Sequence, residues 1–398
     1  MTVRRQVEDE ARATRDAVAS LTDDAIAESL HHAAELVDAR RAVILGANAA
    51  DVEAAIMLDS GAIDRLRLDD SRVDALAAQL AETAVLPPLD REAATWTLAN
   101  GRRVTERRIP IGVVGANFEA RPNVALDIAG QLLKSLNTPL LRTGSAALRT
   151  VTVLVDLVLR PALEAARLPP GAIGLVRSPD REGARALVSM PRLVPLVILR
   201  GSGETTAALA RHAAEHGVRT LAHAEGGGVL YVHPSADPAT LQEVVEASID
   251  RLGVCNRLNL CLVDRGAEHL VPALVALLDR HGLAVREDVE PIGHEWANDP
   301  NPSQVTLCYL DSLEDAVRVA NEETSGLAAS IVAEDADAAR RFLDAYRGTA
   351  AYWNETTRLT DGWKLTGAPE TGINVDWTPG PRGPVTYRDL WLRQYRVE

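Results

Sequence analysis

The chain has 398 residues, 46% hydrophobic and 25% charged, which is ordinary for a soluble globular protein with room for two or three domains. Its net charge of −14 provides no positive field to attract nucleic acid or an anionic membrane, so neither is an expected partner. Three cysteines without zinc-site spacing, a charged N-terminus and the lack of a bilayer-length apolar run predict a cytoplasmic protein without disulfides, metal or membrane span.

The first part of the chain has a helical pattern that gives way to a hairpin. Residues 5–58 carry apolar side chains at helical spacing and are predicted to form amphipathic helices. In WTLANGRRVTERRIP (residues 96–110), the Asn100-Gly101 pair stands between residues that favour strands, which predicts a hairpin. The tail, residues 385–398, also has strand-like composition. Because an uncovered strand edge invites another subunit, both pieces are predicted to serve oligomerisation.

The stretch NFEARPNVALDIAGQLLKSLNTPLLRTGSAA (residues 117–147) carries polar groups at both ends of a predicted helix. Pro122 marks the start of the helix, and Asn123 follows it. The Asn123 amide suits either a helix cap or a donor to an oxygen that gains negative charge during acyl transfer. The next apolar strand leads into a turn suited to contacting phosphate, made of Arg142, Thr143, Gly144 and Ser145.

From about residue 110, short apolar runs of strand length alternate with helix-length stretches rich in Ala and Leu. This alternation predicts parallel sheets covered by helices on both faces. One series ends near residue 224 and a second starts near residue 228, so we predict two α/β domains.

A buried-strand pattern, VPLVILR, runs into Gly201-Ser202-Gly203 and then into a predicted helix. Glycines allow a backbone to approach a phosphate, and the start of a helix supplies N–H donors. The full dinucleotide fingerprint is absent, because Thr206 occupies its last position. The turn therefore fits either nucleotide binding or ordinary strand-to-helix packing.

Cys255 lies in RLGVCNRLNLCLVD (residues 251–264), between a helix predicted to end near residue 252 and a strand predicted from about Leu258. Reactive groups tend to lie on such connecting loops, and the backbone N–H of Asn256 is suited to an oxyanion. The alternative is a small buried hydrophobe, which is the commonest role of a free cysteine. Cys261 and Cys308 fall in strand patterns and are predicted to be core residues.

A polar, glycine-rich segment follows in residues 352–373, YWNETTRLTDGWKLTGAPETGI. It is either a solvated loop or a substrate loop, and its density of side chains able to bind an anion suggests the latter. Those side chains include Asn354, Thr357 and Arg358.

Five stretches together resemble the γ-glutamyl phosphate reductase (glutamate-5-semialdehyde dehydrogenase) family of the aldehyde dehydrogenase superfamily. They occur in the expected order over residues 10–395: EARPNV (119–124), LKSLNTPLLRTGSAA (133–147), GVCN (253–256), YWNETTRLTDG (352–362) and GPRGP (380–384). The resemblance implies NADPH-dependent reduction of γ-glutamyl phosphate to the semialdehyde, a step of proline biosynthesis, through a cysteine thioester.

The resemblance also implies roles for individual residues. Cys255 matches the nucleophile, and Asn123 matches the amide that holds the oxyanion together with the Cys255 backbone N–H. Cofactor contacts map onto Arg142 to Ser145, Gly201 to Gly203, and Asp299. Substrate contacts are assigned to Arg121, Asn256, Asn354, Thr357, Arg358 and Lys364.

Several features bear on cofactor and substrate preference. NAD-specific relatives carry a carboxylate where this chain has Ala146 or Ala147, which favours a 2′-phosphate. At the position of the hydrolytic base of oxidising relatives this chain has His223, with Glu225 two residues later. Residues 225–229 (EGGGV) depart from the family pattern, as does a Glu-to-Lys reversal at Lys364 that would change which acyl group fits.

The resemblance implies an α/β fold of the aldehyde dehydrogenase type, with a Rossmann-type cofactor domain. The predicted parts are a cofactor domain (1–93 and 110–224), a catalytic domain (225–374) and oligomerisation strands (94–109 and 375–398). A homodimer or homotetramer is expected, and a glutamate kinase is a candidate channelling partner. Two alternatives stay open: a paralogue that reduces another acyl phosphate or a thioester, and a non-catalytic scaffold that has lost cofactor binding.

Overall fold

The structure is a computed structural model of the whole chain. It describes residues 2–58, 60–201, 203–223, 226–251, 254–287, 290–291, 296, 304–376 and 380–398. Within these ranges no helix is long and apolar enough to cross a membrane. The chain divides into two compact units, unit 1 (Met1–Ala224, Ala368–Gly372 and Val385–Glu398) and unit 2 (Glu225–Gly367 and Ile373–Pro384).

Unit 1 opens with five helices, of which the first three cover the predicted helical residues 5–58 and the last two lie beyond them. They are α1 (Val3–Ala17), α2 (Asp23–Ala39), α3 (Arg41–Ala54), α4 (Ser60–Leu66) and α5 (Asp70–Ala84). Thr2, Thr22 and Asp69 cap three of these helices by accepting backbone N–H bonds, which explains where those helices start.

The predicted hairpin is confirmed, with β1 (Glu92–Thr97) antiparallel to β2 (Arg103–Pro110). Gly101 has φ +83°, the left-handed backbone that the tight turn requires. In the tail, residues 391–397 form a strand that pairs with β2. Val385 ends another short strand, and Tyr387–Asp389 is a turn of 3₁₀ helix. Ile109 and Pro110, at the end of the predicted hairpin stretch, are the last residues of β2.

A five-stranded parallel sheet forms the core of unit 1, as predicted. Its elements are β3 (Val113–Phe118), α6 (Pro122–Lys134), β4 (Thr138–Thr143), α7 (Leu148–Leu154), α8 (Arg160–Ala165), β5 (Gly174–Leu175), α9 (Arg181–Leu187), β6 (Leu196–Arg200), α10 (Gly203–Glu215) and β7 (Arg219–His223). A π-helical turn joins α7 to α8. The strand order β5-β4-β3-β6-β7 places the switch in chain direction between β3 and β6.

Unit 2 is built around a six-stranded sheet in the order β10-β11-β9-β8-β12-β13, and its described strand pairs are parallel. Its elements are β8 (Gly228–Val232), α11 (Pro238–Ser248), β9 (Leu258–Asp264), α12 (Val271–Arg280), β10 (Ala284–Arg286), β11 (Gln304–Leu310), α13 (Leu313–Glu322), β12 (Ala328–Val332), α14 (Ala336–Ala345), β13 (Ala350–Trp353) and α15 (Gly362–Thr366). Three further strands of the chain lie outside this six-stranded sheet: β14 (Gly372–Asn374), β15 (Gly383–Val385) and β16 (Trp391–Val397).

The predicted mixed α/β architecture with parallel sheets is confirmed. One boundary is wrong: α11 ends at Ser248, three residues before the predicted end at Arg251. The connection from α11 to β9 is therefore longer than expected, and Cys255 lies within it.

Candidate active site

Cys255 lies on a turn, whereas the other two cysteines lie in strands. The turn comes directly before β9, where the Arg257 backbone N–H donates to the Val254 carbonyl over 3.3 Å, and the Cys255 side chain is half-buried. Cys261 is fully buried in β9, and burial raises the pKa of its thiol to about 12. Cys308 is half-buried in β11. Gly253, two residues before Cys255, lies outside the described residues.

The residue after Cys255 is fixed to a distant loop. The Asn256 side-chain Nδ2 donates to the Thr360 carbonyl over 2.9 Å, and the Thr357 hydroxyl donates to the Asn256 carbonyl over 2.9 Å. Both side chains are buried. The residues 357–360 therefore hold the cysteine turn from one side. Substrate contacts by Asn256 and Thr357 stay predictions, and in this structure their polar groups serve the turn.

The glycines of residues 226–228 pack against the same turn. A Cβ added at Gly226 would lie 3.2 Å from the Cys255 carbonyl oxygen and 3.5 Å from the Cys255 Cβ. A Cβ added at Gly228 would lie 2.9 Å from the Arg257 carbonyl oxygen, and the Gly228 N–H donates to that oxygen over 2.5 Å. The sequence here departs from the family pattern, but both glycines have a clear role, since a side chain would displace the turn.

Arg358 binds one residue before Cys255 in the chain, Asp250, and the residue directly after it, Asn256. Its Nε donates to the Asp250 carboxylate over 2.7 Å, and its Nη1 donates to the Asn256 Oδ1. The side chain is 13% exposed, whereas that of Asp250 is 52% exposed. Lys364, on the exposed face of α15, donates from Nζ to the Arg358 carbonyl over 3.3 Å. The positive charge of Lys364 thus lies within the predicted substrate loop, close to Arg358.

Asn354 takes a left-handed backbone conformation, with φ +52°, directly after β13. Its Nδ2 donates to the Ala333 carbonyl over 3.1 Å, and its Oδ1 accepts from the Ala333 N–H over 3.0 Å. Both polar groups of the Asn354 side chain therefore bind the backbone of Ala333, the residue directly after β12. Its predicted substrate contact stays a prediction.

Several other predicted site residues lie at the switch point of the unit 1 sheet. In parallel sheets, ligands bind outside the carboxyl ends of strands where the chain direction reverses, which here are the ends of β3 and β6. Arg121 and Asn123 follow β3 at the start of α6, and Gly201 and Gly203 follow β6 at the start of α10.

Asn123 does not cap its helix. Arg121 occupies the capping position of α6 and makes no side-chain cap bond, while the Asn123 Nδ2 donates to the Asp127 carboxylate over 3.3 Å, one turn further on. The expectation that this amide is a helix cap is wrong. Both side chains are partly buried, and the bond to Asp127 fixes which end of the Asn123 amide carries its hydrogens.

A group of positive charges lies at this edge of the sheet. Burial is the main cause that lowers the pKa of the Arg121 guanidinium, and Arg65 and Arg200 lower it further. Glu119 opposes them through an ion pair of 2.5 Å to the Arg121 Nε. Arg65 and Arg200 were missed by the sequence analysis. The sequence does distinguish Arg200, because it is a charged residue at the end of an apolar strand pattern, directly before Gly201.

The predicted cofactor turn overlaps the end of β4, because Arg142 and Thr143 belong to that strand and Gly144 and Ser145 follow it. Arg142 is partly buried, and its Nη1 donates to the Asn117 Oδ1 over 3.2 Å. Thr143 is buried, Ser145 is exposed, and the Gly144 N–H donates to the Phe118 carbonyl over 3.0 Å. A Cβ at Gly144 would lie 3.1 Å from the Ala120 nitrogen. The predicted cofactor residues Ser202 and Asp299 lie outside the described residues, as does Glu225. His223, at the predicted base position, ends β7.

The Asp127 carboxyl is expected to make the free energy of unfolding fall as the pH rises. Burial raises its pKa from 3.8 to about 7, Arg200 and the bond from Asn123 lower it, and Glu370 raises it. The folded state therefore holds the Asp127 proton more tightly than the unfolded state does. Losing this proton lowers the free energy of unfolding, and this loss of stability starts above pH 4 and is complete above pH 7. Asp127→Asn removes this cost while still accepting the bond from Asn123.

Urea unfolding at pH 5 and pH 8 measures this effect. We expect Asp127→Asn to gain about 1–2 kcal/mol more at pH 8 than at pH 5, roughly half of the unscreened value because the carboxyl is only partly buried. The exposed Asp9, paired with Arg5 over 3.2 Å, supplies the control variant Asp9→Asn, for which no such gain is expected. An equal gain at both pH values would contradict the assignment.

The chain is similar in sequence to proteins of known family. A model of the aldehyde dehydrogenase family matches residues 3–290. The chain is 33% identical over 385 residues to the gamma-glutamyl phosphate reductase of Caulobacter sp. (strain K31), covering 93% of this chain and 91% of that protein.

Solved structures share the fold. The crystal structure of gamma-glutamyl phosphate reductase from Thermotoga maritima is 28% identical, with a TM-score of 0.91 over 99% of this chain and 98% of that one. An engineered glycolyl-CoA reductase with bound NADP⁺ is 14% identical, with a TM-score of 0.71 over 99% and 96% of the two chains.

Proposed function

Because this chain belongs to the aldehyde dehydrogenase family, we propose that it reduces an acyl phosphate to an aldehyde with NADPH, and that the acyl phosphate is γ-glutamyl phosphate. The observation that carries the proposal is Cys255, a half-buried thiol on a turn held by Gly226, Gly228 and the 357–360 segment. The whole-chain likeness to gamma-glutamyl phosphate reductase supports the choice of substrate.

The residues present fit a nicotinamide dinucleotide. Gly144 allows close backbone approach after β4, α10 presents its N-terminal end after β6, and Arg121 and Arg200 offer positive charge at the switch point. Arg142, Thr143, Gly144 and Ser145 would hold the cofactor together with Gly201 to Gly203. When bound, the cofactor supplies the hydride.

The protein groups divide the reduction into two easier steps. In the first, the Cys255 thiolate attacks the acyl carbon, a C–S bond forms, and the C–O bond to phosphate breaks. Phosphate leaves with the electron pair, so no strong acid is needed on the leaving group. The Asn123 amide and the Cys255 backbone N–H donate to the oxygen as its negative charge develops. In the second step the thioester carbon accepts hydride and the thiolate departs, which yields the aldehyde.

The reverse reaction tests the proposal directly. We expect glutamate 5-semialdehyde to reduce NADP⁺ only when inorganic phosphate is present, because phosphate must release the acyl group from the thioester. Turnover that is independent of phosphate would contradict acyl-phosphate chemistry. Loss of both turnover and NADPH binding, measured by fluorescence titration, would favour the scaffold alternative.

The position of Lys364 favours testing a second substrate class. Its ammonium lies in the predicted substrate loop, where the family carries a carboxylate, so it suits an acyl group that carries an additional negative charge. A panel of aldehydes in the same phosphate-dependent assay separates the two cases. A clear preference for an aldehyde other than glutamate semialdehyde would keep the reaction and replace the substrate.

A further inference from the structure

The last turn of α10 and the residue directly after it carry three metal-ligating side chains that the proposed reaction does not use. His212, Glu215 and His216 lie at positions i, i+3 and i+4, and one ligand atom from each lies within 4.8 Å of the others. The Glu215 side chain is 69% exposed and that of His212 is 31% exposed, so an ion can reach them from solvent. We infer that these residues bind a divalent transition metal of the zinc class, although the sequence analysis predicted none.

The His216 ring is already arranged as a ligand. Its Nδ1 lies 2.9 Å from the His212 carbonyl oxygen, so Nδ1 carries the hydrogen and donates it. The lone pair is then on Nε2. Histidines that bind metals usually have this arrangement, in which the second ring nitrogen donates to a carbonyl or carboxylate. The tautomer needed for binding is therefore present without the metal.

The spacing of the other two groups suits the same ion. The His212 Nδ1 lies 3.4 Å from the Glu215 Oε2. Two ligand atoms at zinc bond lengths of about 2.0–2.1 Å in a tetrahedral site lie about 3.3 Å apart. The His212 and His216 ring centroids are 4.4 Å apart, which places the rings side by side on one face of the helix. Two imidazoles and a carboxylate are a ligand set that zinc accepts, with an open position for water.

The helix favours a cation at this end. The carboxyl end of a helix carries a partial negative charge, which destabilises a carboxylate such as Glu215 in the last turn and stabilises a positive ion. The alternative is a simple ion pair between protonated His212 and Glu215, which needs no metal. The ion pair joins only His212 and Glu215, whereas the zinc site also requires His216.

Calorimetric titration of Zn²⁺ into the full, chelator-treated protein tests the site. We expect one site with a dissociation constant on the order of 10 µM. His212→Asn and His216→Asn should each weaken it at least about 10-fold, and Glu215→Gln by a smaller factor. His281→Asn, which changes an exposed histidine at the end of α12, is the matched control and should leave the site unchanged.

Two further measurements test whether zinc binds at His212, Glu215 and His216 rather than at Cys255. Cys255→Ser should retain the zinc site, which separates it from metal capture by the proposed nucleophile. The melting temperature of the wild type should rise with Zn²⁺, and that of His216→Asn should not. Zinc binding that is lost in Cys255→Ser, or that is unchanged in both histidine variants, would overturn the inference, as would the absence of binding at 100 µM Zn²⁺ or below.

Discussion

Replacing Cys255 by serine is expected to lower the rate of the phosphate-dependent reaction by at least about 1,000-fold, because the hydroxyl is a far weaker nucleophile than a thiolate. The turn itself should survive the change, since its fixed contacts come from the Asn256 side chain and the backbone carbonyls of Asn256 and Arg257. The rate of NADP⁺ reduction by the semialdehyde measures the effect, and NADPH binding should be unchanged.

Cys308→Ser is the matched control, because it changes a half-buried thiol in β11 rather than on the turn. We expect it to keep most of the activity. Alkylation followed by mass spectrometry gives a second readout: Cys255 should react fastest and Cys261 slowest, since burial raises the pKa of Cys261 to about 12. Substantial turnover in Cys255→Ser would overturn the thioester mechanism.

The sequence distinguished the two neighbouring cysteines because the difference between them is local. Cys261 lies within an apolar strand pattern, and Cys255 lies ahead of it, so periodicity alone separated a buried position from a connecting one. The parallel sheets, the hairpin at Gly101 and the amphipathic helices followed from the same kind of short-range pattern.

The contacts that hold the turn were not predictable in this way. Asn256 meets Thr360 across 104 positions of sequence, and the Gly228 environment includes Thr357. Such partners depend on how strands are ordered in the sheet, which a single sequence does not specify. For the same reason the sequence predicts Asn354 and Thr357 as members of a polar segment, while it does not predict their hydrogen bonds to the surrounding backbone.

Arg358→Met is expected to lower kcat by about 100-fold, because it removes the link that joins the cysteine turn to the substrate loop, and displacement of a reacting group by about 1 Å has effects of this size. The variant loses the bonds to Asp250 and to the Asn256 Oδ1 together. Arg358→Lys should restore only part of the activity, since an ammonium lacks the planar fork that serves both partners. Asp250→Asn should have a smaller effect, because that carboxylate is half exposed.

The ratio of kcat to KM separates positioning from direct substrate contact. If Arg358 acts through the turn, kcat falls while the KM for the acyl substrate changes little, and alkylation of Cys255 changes in rate. If Arg358 instead grips the substrate, as the family resemblance implies, KM rises and Cys255 reactivity stays constant. Arg265→Met is the matched control, since Arg265 pairs with Asp311 over 2.9 Å on the exposed surface of the same unit, where an ion pair contributes little. Wild-type kinetics in Arg358→Met would contradict both roles, whereas wild-type kinetics in Arg265→Met would show that the loss in Arg358→Met is specific to the cysteine turn and the loop beside it.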